Sequence, residues 1–226
     1  QAEMVTPAIA KEDRSPVTVA DLACQALVGY LLNKAFPGDV LVAEEDSRLL
    51  RVPEGRDTLE QICRFVERFV PVASPESLCD WIDSGRAEPA DRFWTLDPID
   101  GTKGFLRGDQ YAVALALIAE GRVQAGGLGC PNLSDAYRPD TEGQGSLVIA
   151  ARGQGAWSAS ITSPIEFERL HVSSRSDPAQ TRILRSFEAG HTNVEKIDRL
   201  VQFLGIRAEP VRLDSQTKYA ILAAGK

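Results

Sequence analysis

Two carboxylates three residues apart lie near the middle of the chain, in segment 97–102, which reads DPIDGT. Pro98 fixes its own φ and biases the preceding residue towards an extended backbone, so Asp97 should point in a defined direction. Asp100 is close enough for both carboxylates to converge on one point, with the Ile99 carbonyl between them. Such oxygen atoms are the ligands that Mg²⁺ prefers. The segment therefore predicts a magnesium site, although a plain turn after a strand would use the same residue types.

The end of the same segment supplies groups suited to a phosphate. Gly101 permits a sharp turn and a close approach of the backbone to a ligand. The backbone N–H groups of Gly101 and Thr102 are predicted to contact phosphate oxygens. Water and a substrate phosphate would then complete the octahedral shell that Mg²⁺ requires.

Two acidic positions nearer the N-terminus extend the predicted site. Glu44 begins a run of three acids after a short apolar strand pattern. If this strand ends beside the strand that precedes Asp97, Glu44 becomes another oxygen ligand; the alternative is a solvated turn. Asp21 follows Thr18 by three residues, which is the spacing of a helix capping box. The other interpretation of Asp21 is a carboxylate that faces the metal and shares a proton network with Thr102.

The apolar periodicity predicts three helices and then a region rich in strands. The first helix has an N-cap at Thr18 and stops at Pro37-Gly38, the second covers 58–70, and the third covers 74–85. Strands are predicted at 40–43, 93–96, 111–119, 123–128, 146–150 and 156–158, with a tight turn at 121–122 and a polar surface loop at 132–145.

The C-terminal part of the chain alternates strand and helix. The predicted order is a strand at 183–186, a helix at 193–204, a strand at 211–213 and a helix from 216. We therefore expect an N-terminal α+β domain over 1–168 that carries the metal site. An incomplete α/β domain is expected over 169–226.

Composition narrows the class of function. The chain has 226 residues, 43% hydrophobic and 25% charged, with a net charge of −7. No apolar run approaches the length of a membrane span, and the acidic balance disfavours nucleic-acid binding. The four cysteines are widely spaced and there are only two histidines, so reduced thiols and no structural zinc are expected. We expect a cytoplasmic protein, a monomer or else a homodimer, that acts on a small anionic molecule.

Several segments together resemble the inositol monophosphatase-like superfamily. They are SPVTVAD at 15–21, EEDS at 44–47 and DPIDGTKGF at 97–105, in the family's order and approximate spacing. The lysine and glycine that follow DGT resemble the 3'(2'),5'-bisphosphate nucleotidase branch, since inositol monophosphatases usually have Thr-Asn-Phe there. FEAGH at 187–191 and DSQTKY at 214–219 are also similar to that branch.

The resemblance implies a layered αβαβα sandwich and a Mg²⁺-dependent, lithium-sensitive phosphatase. The implied substrate is adenosine 3',5'-bisphosphate, with 3'-phosphoadenosine 5'-phosphosulfate as a second candidate. Asp21 and Thr102 would orient and activate water, and His191, Ser215 and Lys218 would contact the nucleotide. The implied metal ligands are Glu44, Asp97, the carbonyl of Ile99, and Asp100.

One family motif is absent from the sequence. The family has Trp-Asp-x-x-Ala-Gly after the segment that resembles 214–219, and its Asp is a metal ligand, so we expect the chain to be part of a longer protein. Two alternatives stay open: an inositol or sugar phosphate phosphatase of the same superfamily, and an inactive fragment that binds nucleotide or metal. A haloacid-dehalogenase-like phosphatase is disfavoured, because it needs a second Asp where Ile99 stands.

Overall fold

The computed structural model describes residues 9–10, 16–163, 166–187 and 193–226. The predicted substrate residue His191 lies outside the described residues. The chain divides into two compact units: a first unit of Gln1–Leu106 and Val113–Gly127, and a second unit of Arg107–Ala112 and Leu128–Lys226. In the described part of the chain, no helix is both long and apolar enough to cross a membrane.

The first unit combines helices with a sheet. Its strands lie in the order β6-β5-β4-β3, and β3 and β4 are parallel. Ala112 and the end of β6 from Leu128 belong to the second unit. The elements in chain order are β1 (Ile9–Ala10), β2 (Pro16–Val17), α1 (Val19–Ala35), β3 (Val40–Ala43), α2 (Arg56–Val66), α3 (Pro75–Asp83), β4 (Arg92–Asp100), α4 (Thr102–Leu106), β5 (Ala112–Ala119) and β6 (Arg122–Cys130).

The predicted start of α1 is confirmed. The Thr18 hydroxyl accepts hydrogen bonds from the backbone N–H groups of Ala20 and Asp21, at 3.2 and 3.3 Å. The Asp21 carboxylate accepts in return from the Thr18 N–H at 2.8 Å. These bonds form a capping box, which satisfies N–H groups that have no partner within the helix. The helix ends at Ala35, just before Pro37.

Helices α1, α2 and α3 bury one apolar core. The predicted second helix, 58–70, is wrong at both ends, since α2 covers Arg56–Val66. It follows directly on a 3₁₀ turn, Pro53–Gly55, so no cap at Thr58 is needed. After Val66 the chain turns, and Phe69 is 61% exposed. The fully buried side chains of this core include Ala23, Ala26, Ile62, Val66, Leu78 and Ile82.

The third helix begins as predicted. Ser74 caps α3, its hydroxyl accepting from the Ser77 N–H at 3.2 Å, and Pro75 occupies the first turn, where its missing N–H costs nothing.

The strand before the central motif is longer than predicted. We expected it to end at residue 96, but β4 continues to Asp100 and so contains Asp97, Pro98 and Ile99. The pairing of β4 with β3 ends at Leu96, opposite Ala43. Pro98 therefore faces no β3 residue, and its missing N–H removes no hydrogen bond from that ladder.

The turn between β5 and β6 lies one residue earlier than predicted. Glu120 and Gly121 both have positive φ, 53° and 68°. Two such residues in succession are typical of a type I′ hairpin, whose twist matches that of the strands. The predicted turn at 121–122 is therefore wrong by one position, because β6 already includes Arg122.

The second unit contains a hairpin and a short parallel pair. The predicted hairpin is confirmed as β9 and β10, which pair antiparallel. The predicted strand–helix–strand–helix order also holds, since β12 and β13 are parallel and α5 lies between them in sequence. The elements are β7 (Leu133–Ser134), β8 (Arg138–Pro139), β9 (Ser146–Ala151), β10 (Gly155–Ser160), β11 (Glu168–Arg169), β12 (Leu184–Arg185), α5 (Val194–Leu204), β13 (Val211–Arg212) and α6 (Thr217–Ala223).

The segment 132–145 is mostly exposed from Arg138 to Gln144, as its polar composition predicts, but its start is buried. Asn132 is buried, and its amide donates to the Asp109 carbonyl at 2.5 Å. Leu133 is also buried, and its carbonyl accepts from the Ser146 hydroxyl at 2.5 Å. Polar side chains therefore hold the start of this segment in the interior of the second unit. The four cysteines of the chain are free thiols.

We predict that Gly29→Ala destabilises the protein, although alanine is ordinarily the better helix former. A Cβ at Gly29 would come within 2.8 Å of the Ser84 hydroxyl and closer still to the Trp81 carbonyl oxygen. We expect a loss of about 1–3 kcal/mol in the free energy of unfolding, measured by urea denaturation. Gly38→Ala is the control, because nothing lies within 4 Å of its Cβ. Equal stability of the two variants would contradict the prediction.

Candidate active site

The register of β3 and β4 places two predicted ligands next to each other. Ala43, the last residue of β3, pairs with Leu96 in β4. Because the two strands are parallel, the next residues along each chain, Glu44 and Asp97, follow at the same edge. The condition on which Glu44 was predicted as a ligand is thus met, since the two strands end their pairing side by side.

Asp97 is the electrostatic centre of this edge. Burial, together with the negative charges of Asp100, Glu44 and Asp21, raises the pKa of Asp97 to about 7, while the hydrogen bond from the Ile99 backbone N–H opposes the rise. The Oδ1 atom of Asp97 is buried and has no hydrogen-bond partner. A buried carboxylate oxygen without a partner costs free energy, so this atom is suited to coordinate a cation or to bind a proton.

Asp21 is buried at the start of α1, with only 3% of its surface exposed. Burial raises the pKa of Asp21 to about 6, although hydrogen bonds from the Thr18 hydroxyl and N–H lower it. The Thr18 hydroxyl donates to the Asp21 carboxylate at 2.5 Å. Asp21 is therefore both the capping residue and a carboxyl group that titrates close to neutral pH, so its two interpretations are compatible.

Cys24 lies close to the same charges, which disfavour its thiolate form. Burial raises the pKa of the Cys24 thiol to about 12, with added repulsion from Asp21 and Asp97. A thiol with so high a pKa stays neutral and is a poor nucleophile at pH 7.

Thr102 and Ile99 are joined by a hydrogen bond. The Thr102 hydroxyl donates to the Ile99 carbonyl at 3.1 Å, leaving the oxygen of Thr102 able to accept. Gly101, between strand and helix, has φ of 88°, a conformation that glycine adopts without strain. The proton network between Asp21 and Thr102 stays a prediction, as does phosphate binding by Gly101 and Thr102.

The acidic residues at this edge fit a hard divalent cation in chemistry. No group of three or more His, Cys, Asp or Glu side chains within the described ranges is arranged to hold a metal ion. The fit rests instead on the unpartnered Asp97 oxygen and on the three carboxylates whose charges act on it. A bound Mg²⁺ would offset the repulsion between these carboxylates. Glu44, Asp97, Ile99 and Asp100 as its ligands stay a prediction.

The predicted nucleotide residues Ser215 and Lys218 lie in the second unit. The Lys218 ammonium donates to the Ser186 hydroxyl at 3.0 Å and to the Leu213 carbonyl at 3.2 Å. Ser215 has φ of 69°, in the left-handed region, and its hydroxyl accepts from the Thr217 N–H at 3.2 Å. These bonds fix the turn before α6, while substrate contact by Ser215 and Lys218 stays a prediction.

Asp214 anchors the same turn and was not predicted from the sequence. Its carboxylate accepts from Arg107 at 2.5 Å and from the Phe187 N–H at 3.1 Å. Its carbonyl accepts from the Thr217 hydroxyl at 3.0 Å, and only 8% of the residue is exposed. Asp214 thus joins three segments that are far apart in sequence. An acidic residue directly before Ser215 was the only sequence sign of this role.

The comparison with family models identifies the class of protein. The model described as the inositol monophosphatase family matches residues 3–226. The chain therefore belongs to the inositol monophosphatase family, as its motifs predicted.

Curated relatives point to one branch of that family. A 3'(2'),5'-bisphosphate nucleotidase 1 of Arabidopsis thaliana is 41% identical over 95% of this chain and 66% of its own length. A 3'(2'),5'-bisphosphate nucleotidase of Schizosaccharomyces pombe is 38% identical over 96% of this chain and 65% of its own length. The chain thus spans slightly less than two thirds of these relatives.

Solved structures share the fold at low sequence identity. The suhB extragenic suppressor protein of Bartonella henselae matches with a TM-score of 0.58 and 20% identity, over 97% of this chain and 66% of that chain. An IMPase/NADP phosphatase complexed with Mg²⁺ and phosphate matches with a TM-score of 0.51 and 19% identity, over 99% and 60%. The predicted fold of the inositol monophosphatase type, a mixed α/β arrangement, is confirmed.

We predict that Asp21 makes stability depend on pH in a defined direction. The pKa of Asp21 is raised from 3.8 to about 6 in the folded protein, so the folded state binds this proton more tightly than the unfolded chain does. The stability that comes from this tighter proton binding is fully present below pH 4 and is lost as the pH rises through 6. The loss is on the order of 3 kcal/mol, because one pKa unit corresponds to about 1.4 kcal/mol. Asp21→Asn does not titrate and keeps an oxygen that can accept from Thr18.

Urea denaturation in the presence of a chelator, at pH 4.5 and pH 7, measures this difference. The stability of Asp21→Asn relative to the unsubstituted protein should increase between the two pH values. Comparing the two proteins at each pH cancels the titration of all other carboxylates. A difference that does not change with pH would show that the pKa of Asp21 is not raised in the folded protein.

Proposed function

We propose that the protein containing this chain is a Mg²⁺-dependent phosphomonoesterase that removes the 3'-phosphate of adenosine 3',5'-bisphosphate. The observation that carries the proposal is the buried, unpartnered Asp97 oxygen, on which the charges of Asp100, Glu44 and Asp21 act. The substrate class follows from the curated relatives, which bear the name 3'(2'),5'-bisphosphate nucleotidase. The sulfated form, 3'-phosphoadenosine 5'-phosphosulfate, is the second candidate substrate.

In this proposal the acidic edge of the first unit holds Mg²⁺. Glu44, Asp97 and Asp100 supply carboxylate oxygens, and Ile99 supplies its carbonyl. When bound, the cation lowers the pKa of water and offsets the charge on the phosphoryl oxygens. A solved structure of the same fold is described as complexed with Mg²⁺ and phosphate, which supports this choice of ion.

Asp21 is proposed as the base that accepts the proton of the attacking water. A catalytic base works best when its pKa lies near the working pH. Burial raises the pKa of Asp21 to about 6, which leaves it mostly ionised at pH 7 and basic enough to accept. The Thr102 hydroxyl already donates to Ile99, so its oxygen can accept from the same water and orient it.

The C-terminal part of the second unit, from residue 169 onward, is proposed to contact the nucleotide. Lys218 would pair with the phosphate that is retained, as a compact positive charge on a flexible stem. Ser215, held in a left-handed turn, would present its hydroxyl, and His191 would contact the nucleoside. Residues 1–168 as the catalytic domain and 169–226 as part of the nucleotide-contacting domain complete this proposal. The proposed protein is cytoplasmic, and it is a monomer or else a homodimer.

An inositol or sugar phosphate is the competing substrate class. The family as a whole is named for inositol monophosphatase, and the acidic edge would serve any phosphomonoester. Parallel assays with inositol 1-phosphate and adenosine 3',5'-bisphosphate therefore belong to every activity test. A higher kcat/KM on inositol 1-phosphate would replace the proposed substrate but keep the reaction.

We predict that the whole protein releases phosphate from adenosine 3',5'-bisphosphate only with Mg²⁺, and that lithium inhibits the release. Asp97→Asn should lower kcat/KM by at least ~100-fold, because it removes a charge from the proposed metal site. Asp39→Asn is the matched control at the opposite end of the same strands. Asp39 precedes β3 and accepts from Arg92 at 2.8 Å and from the Trp94 ring at 2.9 Å.

Phosphate release is measured colorimetrically, and calorimetry with Mg²⁺ separates binding from turnover. Binding without turnover would favour the inactive, metal-binding alternative. A phosphoaspartate trapped during turnover would contradict attack by water.

We predict that Asp214→Asn raises the KM for adenosine 3',5'-bisphosphate about tenfold and changes kcat much less. A charge-assisted hydrogen bond contributes about 1.5 kcal/mol, and the loss of the bond from Arg107 would loosen the turn that carries Ser215. The control is Asp177→Asn, an exposed acid of the same unit that accepts from the Ala179 N–H at 3.0 Å. If both variants have the same KM, Asp214 has no part in substrate binding.

A further inference from the structure

A fully buried glutamine on α1 binds the backbone directly after Glu44. The Gln25 side-chain N–H donates to the Glu45 carbonyl at 2.6 Å, and the Glu45 N–H donates to the Gln25 side-chain oxygen at 2.9 Å. A second side-chain N–H of Gln25 donates to the Ile82 carbonyl, at the end of α3, at 2.8 Å. Gln25 has no exposed surface. Its amide therefore joins the end of β3 to two helices.

These bonds determine the direction in which Glu44 leaves the strand. The Glu45 N–H belongs to the peptide group between Glu44 and Glu45, so a bond to it fixes the plane of that group. The bond to the Glu45 carbonyl fixes the next peptide plane as well. Both amide hydrogens of Gln25 donate and its oxygen accepts, so the orientation of the side-chain amide is fixed by three hydrogen bonds. Glu44 is thus followed by two immobilised peptide groups.

A flexible chain would not keep Glu44 where it is. The charge of Glu44 is one of three that disfavour ionised Asp97, so electrostatic repulsion favours separation of the two carboxylates. Glu45 itself is buried, with 5% exposure, although it is an acid in a turn. The Gln25 hydrogen bonds oppose the separation of the Glu44 and Asp97 carboxylates, because breaking these bonds would leave buried polar groups without partners.

The same helix carries the proposed base. Asp21 and Gln25 are four residues apart on α1, a spacing that places both on one face of the helix, one turn apart. A single rigid element thus sets the position of the Asp21 carboxylate directly and that of Glu44 through Gln25.

We propose that Gln25 is a positioning residue for Glu44: it holds this carboxylate beside Asp97 before the cation binds and thereby increases Mg²⁺ affinity. Gln25 acts only through the backbone at Glu45. The inference rests on the proposed function, in which Glu44 is a metal ligand. Residues that orient ligands in this way typically change metal affinity or activity by about 10–100-fold when replaced.

The test is a Mg²⁺ titration of the whole protein by isothermal calorimetry, without substrate. Gln25→Met has nearly the same size and removes all three hydrogen bonds. We expect its dissociation constant for Mg²⁺ to rise about 10–100-fold. The control, Val66→Ala, creates a cavity in the same helical core, where Val66 is fully buried, and should destabilise the protein without changing Mg²⁺ affinity.

A second readout separates positioning from general damage. At saturating Mg²⁺, kcat of Gln25→Met should return close to that of the unsubstituted protein, because the base Asp21 is intact. If Gln25→Met does not fold, Gln25→Glu decides by the same titration. It keeps an acceptor for the Glu45 N–H but turns a carboxyl oxygen towards two carbonyls, so it too should weaken Mg²⁺ binding.

Two negative results would have different meanings. If the unsubstituted protein does not bind Mg²⁺, the proposed function fails and the role of Gln25 fails with it. If the unsubstituted protein binds Mg²⁺ and Gln25→Met binds it equally well, only the positioning role is wrong. The same conclusion follows if Val66→Ala weakens Mg²⁺ binding as much as Gln25→Met does.

Discussion

Repulsion between carboxylates is the constraint on which the first unit depends. Asp97 is partly removed from water, and one of its oxygens has no hydrogen-bond partner. The negative charges of Asp100, Glu44 and Asp21 repel its carboxylate. Removing like charges from water together costs free energy, which appears as the raised pKa of Asp97. A fold selected for stability alone would place apolar or neutral groups there. The arrangement persists because the surrounding elements leave the acids no freedom to separate.

Three sets of polar contacts, each using the backbone, oppose this repulsion. The capping box between Thr18 and Asp21 fixes the carboxyl group at the start of α1. Gln25 fixes the peptide groups after Glu44. Further along the same loop, the Ser47 N–H donates to the Asp83 carboxylate at 2.9 Å. Backbone atoms in rigid elements hold a site more accurately than flexible side chains do, so the acids are pre-organised.

The features that sequence predicts here have local causes. Thr18 caps α1 and Ser74 caps α3, and each cap is formed by residues within three positions, as a pattern can show. The two carboxylates of 97–102 and the acid at 44 were likewise predicted as ligands from residue type and spacing, and their role stays a prediction. Their juxtaposition needed only one further fact, the parallel register of β3 and β4.

The features that sequence missed depend on pairing between distant segments. β4 continues through Pro98, which the sheet tolerates because β3 has already ended at that point. Gln25 and Glu45 are 20 positions apart, and Arg107 and Asp214 are 107 apart. A glutamine in an apolar helix stripe or an acid before a serine has many ordinary uses. Only the fold shows which groups Gln25 and Asp214 contact. The predicted substrate residue His191 lies outside the described residues.

The two units differ in how general their chemistry is. In the proposed function, the acidic edge of the first unit would serve any phosphomonoester, so its residues would define the reaction and not the substrate. The polar contacts of the second unit join segments around 107, 187 and 214. They combine a charged hydrogen bond from Arg107 with a neutral one from the Phe187 N–H, both to the Asp214 carboxylate. A site built to form hydrogen bonds with one substrate rejects those that leave its buried groups unpaired. In the proposed function, selectivity therefore depends on the geometry of the Asp214 turn, and catalysis depends on the acidic residues around Asp97.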